Sequence, residues 1–253
     1  MDPLFQVTVL NQTPDPERVI YQAMHQDYSS EYITPGSKIP SHYGEVVVKA
    51  LLEGNRGHYG PLEHPQINLA VGYFPHTVMQ QARTHRIGVT FDVQSFRYTG
   101  ERIAELGSQL LQDPDLDPVK QQERISQVFY LPETVLRGEA KSRDGLVSIA
   151  PEAIGLILEQ YRSQAITYYR LVHEYQVPYE DARSIIGYGI RQHFVVSFNC
   201  RSLMHFLDLR AKADAQLEIR HLCELILPHF QAWCPHIAQW YVKNRWGKAR
   251  LAP

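Results

Sequence analysis

Residues 66–74, QINLAVGYF, alternate apolar and polar side chains, and the period changes at Pro75. A period of two puts Ile67, Leu69, Val71 and Tyr73 on one side of a half-buried strand. Pro75 then opens a helix through HTVMQQARTHR, which Gly88 ends. The same switch recurs along the chain. Residues 4–10, 91–98 and 193–198 read as strands, with Tyr98 and Phe96 facing the core in the second of these. Residues 41–55 read as a helix with Ser41 as N-cap and Gly54-Asn55 as stop. After Pro151, Ile154, Leu158, Tyr161, Ala165, Tyr168 and Val172 recur at helical spacing. A short helix after Pro178 holds Arg183, and CRSLMHFLDLR and DAQLEIRHLCELILPHF are two more. Strands interspersed with helices make the class mixed α and β.

The segment 107–146 is polar and broken by Pro114, Pro118, Pro132 and Gly145. It reads as an irregular insertion with a short helix near 118–129, and 241–253 reads as a C-terminal extension. No internal repeat or Gly/Ser-rich linker divides the 253 residues, so one domain spanning 1–253 is expected.

Lys plus Arg number 25 and Asp plus Glu 27, a net charge of −2. That balance argues against a general nucleic-acid binder, although the basic run KNRWGKAR could support one. No apolar run approaches a membrane span, and the N-terminal residues lack the pattern of a signal peptide. Cys200, Cys223 and Cys234 are odd in number and have no CxxC spacing. A reduced, cytoplasmic setting is expected.

Chemistry-bearing residues gather in blocks. Gln81-Ala-Arg83-Thr84-His85-Arg86 lies at a helix end, with Gln81 and His85 four apart and Arg83 and Arg86 three apart. Alone, it reads as a solvated basic turn on the negative end of a helix dipole. Ser95 and Arg97, two apart on a strand, point to one side and could contact an oxyanion or phosphate. In the block from Asn199 to Arg210, Leu203, Phe206 and Leu207 form an apolar stripe, with Arg201 and His205 on another face. At about 100° per residue Arg210 falls opposite Arg201. The two arginines then serve different ligands or subunits, unless the helix bends. Asp214 reads as the cap of the next helix, and Arg220 as an ordinary surface arginine. His58, Glu63 and His64 lie in a Gly/Pro loop whose spacing matches no common zinc pattern, so no metal is expected; Glu63 and His64 could simply pair.

Together these blocks resemble the flavin-dependent thymidylate synthases. That family has Arg-His-Arg, seven or eight residues, then Ser-x-Arg. Here His85-Arg86 is followed by eight residues and Ser95-Phe96-Arg97. A Gly-His loop with Pro-x-Glu-His matches Gly57-His58 and Pro61-Leu62-Glu63-His64. Asn-x-Arg-Ser-Leu matches Asn199 to Leu203, a downstream Leu-Arg matches Leu209-Arg210, and Ala-Gln-x-Glu-Ile matches Ala215 to Ile219. Three positions depart from the pattern. Thr84 stands where the family has its first arginine, His205 where asparagine is common, and Val93, between Asp92 and Gln94, where an acidic residue is usual.

The resemblance implies an α+β domain with a mostly antiparallel sheet packed against long helices. It implies conversion of dUMP to dTMP, with 5,10-methylenetetrahydrofolate as carbon donor and NADPH reducing bound FAD, in a homotetramer with active sites at subunit interfaces. By position it places Arg210 and Ser95 at the reacting centre, Arg210 activating the pyrimidine and Ser95 positioning it. It places Gln81, Arg83, Gln94, Ser95, Phe96, Arg97, Arg183 and Arg210 around dUMP, Arg97 and Arg183 on its phosphate. Thr84, His85, Arg86, Asn199, Arg201 and His205 fall to FAD, and His58 to the folate and nicotinamide pocket. The alternative is a nucleotide- or flavin-binding module on the same scaffold without this activity.

Overall fold

A computed structural model describes residues 1–54, 57–142 and 145–248. Strand β1 (Gln6–Gln12) leads to α1 (Pro16–Gln26) and α2 (Tyr43–Val47), which runs on into a π-helical turn (Val48–Leu52). A 3-10 turn (Gly60–Glu63) precedes β2 (Gln66–Pro75), α3 (His76–Ala82) and β3 (Val89–Val93). Next come α4 (Phe96–Thr99), α5 (Glu101–Gln112), α6 (Pro118–Val128), α7 (Glu133–Arg137) and the hairpin of β4 (Glu139–Ser142) and β5 (Gly145–Ser148). Then follow α8 (Glu152–Tyr169), α9 (Tyr179–Ala182), β6 (Arg191–Asn199), α10 (Cys200–Arg210), α11 (Leu217–Trp233) and α12 (Pro235–Asn244). Four strands form an antiparallel sheet in the order β1-β2-β6-β3. The mixed class therefore holds.

The chain divides into two compact units. One comprises residues 1–4, 72–79 and 93–193; the other comprises 5–71, 80–92 and 194–253. The first is built on α5, α6 and α8, whose Ile103, Leu106, Leu110, Ile125, Phe129, Ala165 and Tyr168 form one apolar cluster. Helices α5 and α8 meet at Gly107, where an added Cβ would lie 2.2 Å from the Ala165 carbonyl oxygen. Arg191 is buried in this unit. It is held by Asp2 at 2.6 Å and by the Ser126 and Tyr73 carbonyls at 2.7 and 2.8 Å.

In the second unit, Ile67, Leu69 and Val71 of β2 are buried as the alternation requires. Helices α10, α11 and α12 bury Leu203, Phe206, Leu207, Ile219, Ile226, Phe230 and Ile237. Buried Glu17 of α1 accepts from the Ile237 backbone N–H at 2.9 Å, satisfying one of the open donors at the start of α12. Asp208, a buried residue of α10, holds the Tyr241 hydroxyl at 3.0 Å and Arg245 at 2.7 Å.

Five expectations need correction. Tyr73 does not continue the buried side of β2. Its φ of +67° breaks the alternation, and Phe74 is buried instead. Residues 91–98 are not one strand: β3 stops at Val93, Ser95 N-caps α4, and Tyr98 is 79% exposed rather than in the core. The segment 107–146 carries the end of α5, α6 at 118–128 where a helix near 118–129 was expected, α7 and β4 of a strand pair, because Asp117 and Pro118 start a helix and Gly138 ends one. Asp214 does not cap α11. That position falls to Gln216, and Asp214 pairs with Lys212 at 3.2 Å. The supposed extension is helical through Asn244; residues 249–253 lie outside the described ones.

Candidate active site

In the second unit, Asn199 ends β6 and caps α10, its Oδ1 accepting from the Ser202 N–H at 2.7 Å. The cap is joined to the segment after α3 through Gly88. The Gly88 carbonyl accepts from the Ser202 hydroxyl at 2.7 Å and from the Asn199 N–H at 3.3 Å. Gly88 has φ +68°, and a Cβ there would sit 2.4 Å from the Asn199 side-chain nitrogen. Only glycine fits that approach without displacing the cap. Residues 83–88 thus run against the first turns of α10.

Between them lies a cavity of about 590 Å³, lined by Glu63, Thr84, His85, Arg86, Ile87, Asn199, Arg201, Ser202, His205 and Leu209. All six residues that the resemblance assigns to a flavin line this one cavity. Sequence reasoning missed Ile87, Leu209 and Ser202 as lining residues. It left open that Glu63 could pair with His64; Glu63 holds Arg201 at 2.5 Å. The Asn199-to-Ser202 spacing is an ordinary capping signal and could have revealed Ser202.

Arg210 ends α10 beside the cavity wall. Its Nε donates to His85 Nε2 at 3.0 Å, and its Nη2 donates to the Gln81 carbonyl at 3.0 Å and to Thr84 Oγ1 at 2.7 Å. Accepting through Nε2 leaves the His85 proton on Nδ1. Burial, then the charges of Arg210 and His205, push the His85 pKa down from 6.5 to about 4, so the ring is neutral at physiological pH. Burial also lowers His205, with Arg245, Arg201 and Arg210 adding to it. The two imidazoles stand 5.6 Å apart at 70°, and Phe206 packs against His85 at 4.9 Å. Helix α3 ends at Ala82, so Gln81 and His85 do not share a helical face as their spacing suggested. The Gln81 side-chain amide donates to Gln216, Arg83 is exposed, and His58 is exposed and outside this cavity lining.

The first unit holds the other predicted residues. Arg97 pairs with Glu180 at 3.1 Å, and Arg183 Nε donates to the Glu180 carbonyl at 3.1 Å, so both guanidinium groups converge on one residue. Ser95 Oγ accepts only from the Arg97 N–H, at 3.4 Å, among the described residues. No histidine or carboxylate hydrogen-bonds its hydroxyl among the described residues, which disfavours a nucleophilic role. Gln94 Oε1 accepts from Arg102 at 3.2 Å, and Phe96 lies under the same guanidinium at 5.6 Å. No cluster of metal-ligating side chains occurs among the described residues.

A family model described as thymidylate synthase complementing protein matches residues 8–236. The chain belongs to the flavin-dependent thymidylate synthase family. Membership is carried by sequence. A flavin-dependent thymidylate synthase of Halobacterium salinarum is 32% identical, with 98% of this chain and 99% of that one covered. The Haloarcula marismortui enzyme is also 32% identical over the same shares. Among solved structures, thymidylate synthase X of Helicobacter pylori, determined with FAD and dUMP, superposes with TM-score 0.66 at 20% identity over 92% of this chain and 99% of that one. The UMP/dUMP methylase PolB of Streptomyces cacaoi gives 0.71 at 17% identity, covering 98% and 97%. This family is an enzyme class, so the cavity is a candidate active site.

Proposed function

We propose that the protein converts dUMP to dTMP, with 5,10-methylenetetrahydrofolate as carbon donor and NADPH reducing a bound FAD, leaving tetrahydrofolate. The observation that carries this reading is the convergence of Thr84, His85, Arg86, Asn199, Arg201 and His205 on one cavity. Its volume is within the roughly 300–1,000 Å³ common for small-molecule sites. Its chemistry suits a flavin nucleotide: Arg86 and Arg201 offer guanidinium donors for a pyrophosphate, and Ile87 and Leu209 offer apolar contact for a ring. FAD bound there supplies the reducing equivalents of the reaction.

The chain's own residues bind and polarise. Arg97 and Arg183, already converging on Glu180, are suited to a nucleotide phosphate. Arg210 is the donor that stabilises negative charge developing on the pyrimidine as its ring carbon becomes nucleophilic. Gln81, Arg83, Gln94 and Phe96 complete the dUMP contacts, Ser95 positions the substrate, and His58 belongs to the folate and nicotinamide pocket. The working form is a cytoplasmic homotetramer. Purified protein should be yellow, with an oxidised-flavin absorbance band, and should form dTMP from dUMP by chromatography. A colourless protein that neither binds added FAD nor consumes dUMP contradicts the reading.

A further inference from the structure

We propose that Thr84 is a positioning residue for Arg210, holding its guanidinium so that Nη1 is the nitrogen left to meet a substrate. The inference rests on the function proposed above and assigns a role to a position where this chain departs from the family pattern. The Thr84 hydroxyl has one proton to give and lone pairs to receive. It gives the proton to the Gln81 carbonyl, at 2.8 Å, and receives Arg210 Nη2, at 2.7 Å. The same carbonyl receives the other Nη2 proton at 3.0 Å, and neutral His85 receives the Nε proton at 3.0 Å.

One whole edge of the guanidinium is therefore bound, and three of its five N–H groups are used. Nη1 has no hydrogen-bond partner among the described residues. A planar fork held along one edge is fixed in rotation, and its free nitrogen points one way. An arginine at position 84 would put a second positive charge beside Arg210 and offer it no acceptor. Threonine removes the repulsion and supplies that acceptor. The hydroxyl is thus directed at Arg210, and Thr84 acts through that residue.

The test compares Thr84→Val, which keeps the shape and drops the hydroxyl, with Thr84→Ser, which keeps it. FAD content, KM for dUMP and kcat for tritium release from ring-labelled dUMP are measured. Losing one hydrogen bond to a charged group should lower kcat per bound flavin of Thr84→Val by roughly tenfold or more at saturating FAD, with KM within about twofold of the parent. Thr84→Ser should recover most of kcat. In an Arg210→Lys background, which lacks the fork, Thr84→Val should cause no further loss. An unchanged kcat in Thr84→Val overturns the proposal. So does loss of FAD with unchanged turnover per bound flavin, which would make Thr84 a flavin contact alone. A parent protein inactive on dUMP overturns the functional reading itself, and this role with it.

Discussion

At the scale of single residues, the site depends on a neutral histidine supporting a cation. Arg210 can donate to His85 only while His85 Nε2 has its lone pair. The folded-state pKa of about 4 lies below the ordinary 6.5, so the unfolded chain binds more protons between those values. Burial is the main cause of the shift, so the stability that depends on a neutral His85 is complete above pH 6.5 and is lost as pH falls toward 4, by about 3 kcal/mol at most. His85→Gln presents a non-titrating oxygen and should flatten that part of the profile. Urea melts of both proteins from pH 7 to 4 measure it, and parallel losses would contradict the account. Arg210→Ala should abolish turnover while FAD is retained, because the flavin-lining side chains are untouched. Activity surviving in that variant would remove Arg210 from the chemistry.

At the scale of elements, two close approaches carry the structure. Helices α5 and α8 touch at Gly107, where a methyl group meets backbone that cannot move aside. Gly107→Ala should destabilise by about 1–3 kcal/mol, read as a lowered midpoint in thermal melting. Asn199 caps the helix that carries Arg201, His205 and Arg210. Asn199→Ala should cost about 1 kcal/mol and weaken FAD binding as well, whereas a residue that only capped a helix would lose stability alone. Elements with strong local signals were legible in the sequence. The 200–210 helix was read to its exact bounds, and 66–75 nearly so. The misreadings came from tertiary effects with no local signature. Ser95 looks like a strand residue until its hydroxyl is seen capping α4, and Tyr73 breaks an alternation that its own sequence predicts. The cavity residues were reached through the family resemblance, but the bonds of Arg210 to Thr84 and His85 span more than 120 positions and leave no pattern to read.

At the scale of the whole molecule, the near-zero net charge conceals an uneven distribution. Residues 181–253 hold ten Lys or Arg against five Asp or Glu. Several of these cations are committed internally: Arg191 to Asp2, Arg201 to Glu63, Arg210 to His85 and Thr84, and Arg245 to Asp208. These pairings weaken the reading as a nucleic-acid surface, which needs freely presented charge. Breaking one buried pair should be severe. Asp2→Ala removes a carboxylate partner of buried Arg191, and a lowered midpoint is expected in denaturant melts. The proposed homotetramer predicts a mass four times that of the chain in light scattering. The central claim is tested most directly by tritium release from ring-labelled dUMP, with FAD, NADPH and methylenetetrahydrofolate supplied. The account predicts release that requires all of these and is lost in Arg210→Ala. A flavin-loaded, folded protein that releases no tritium would contradict it.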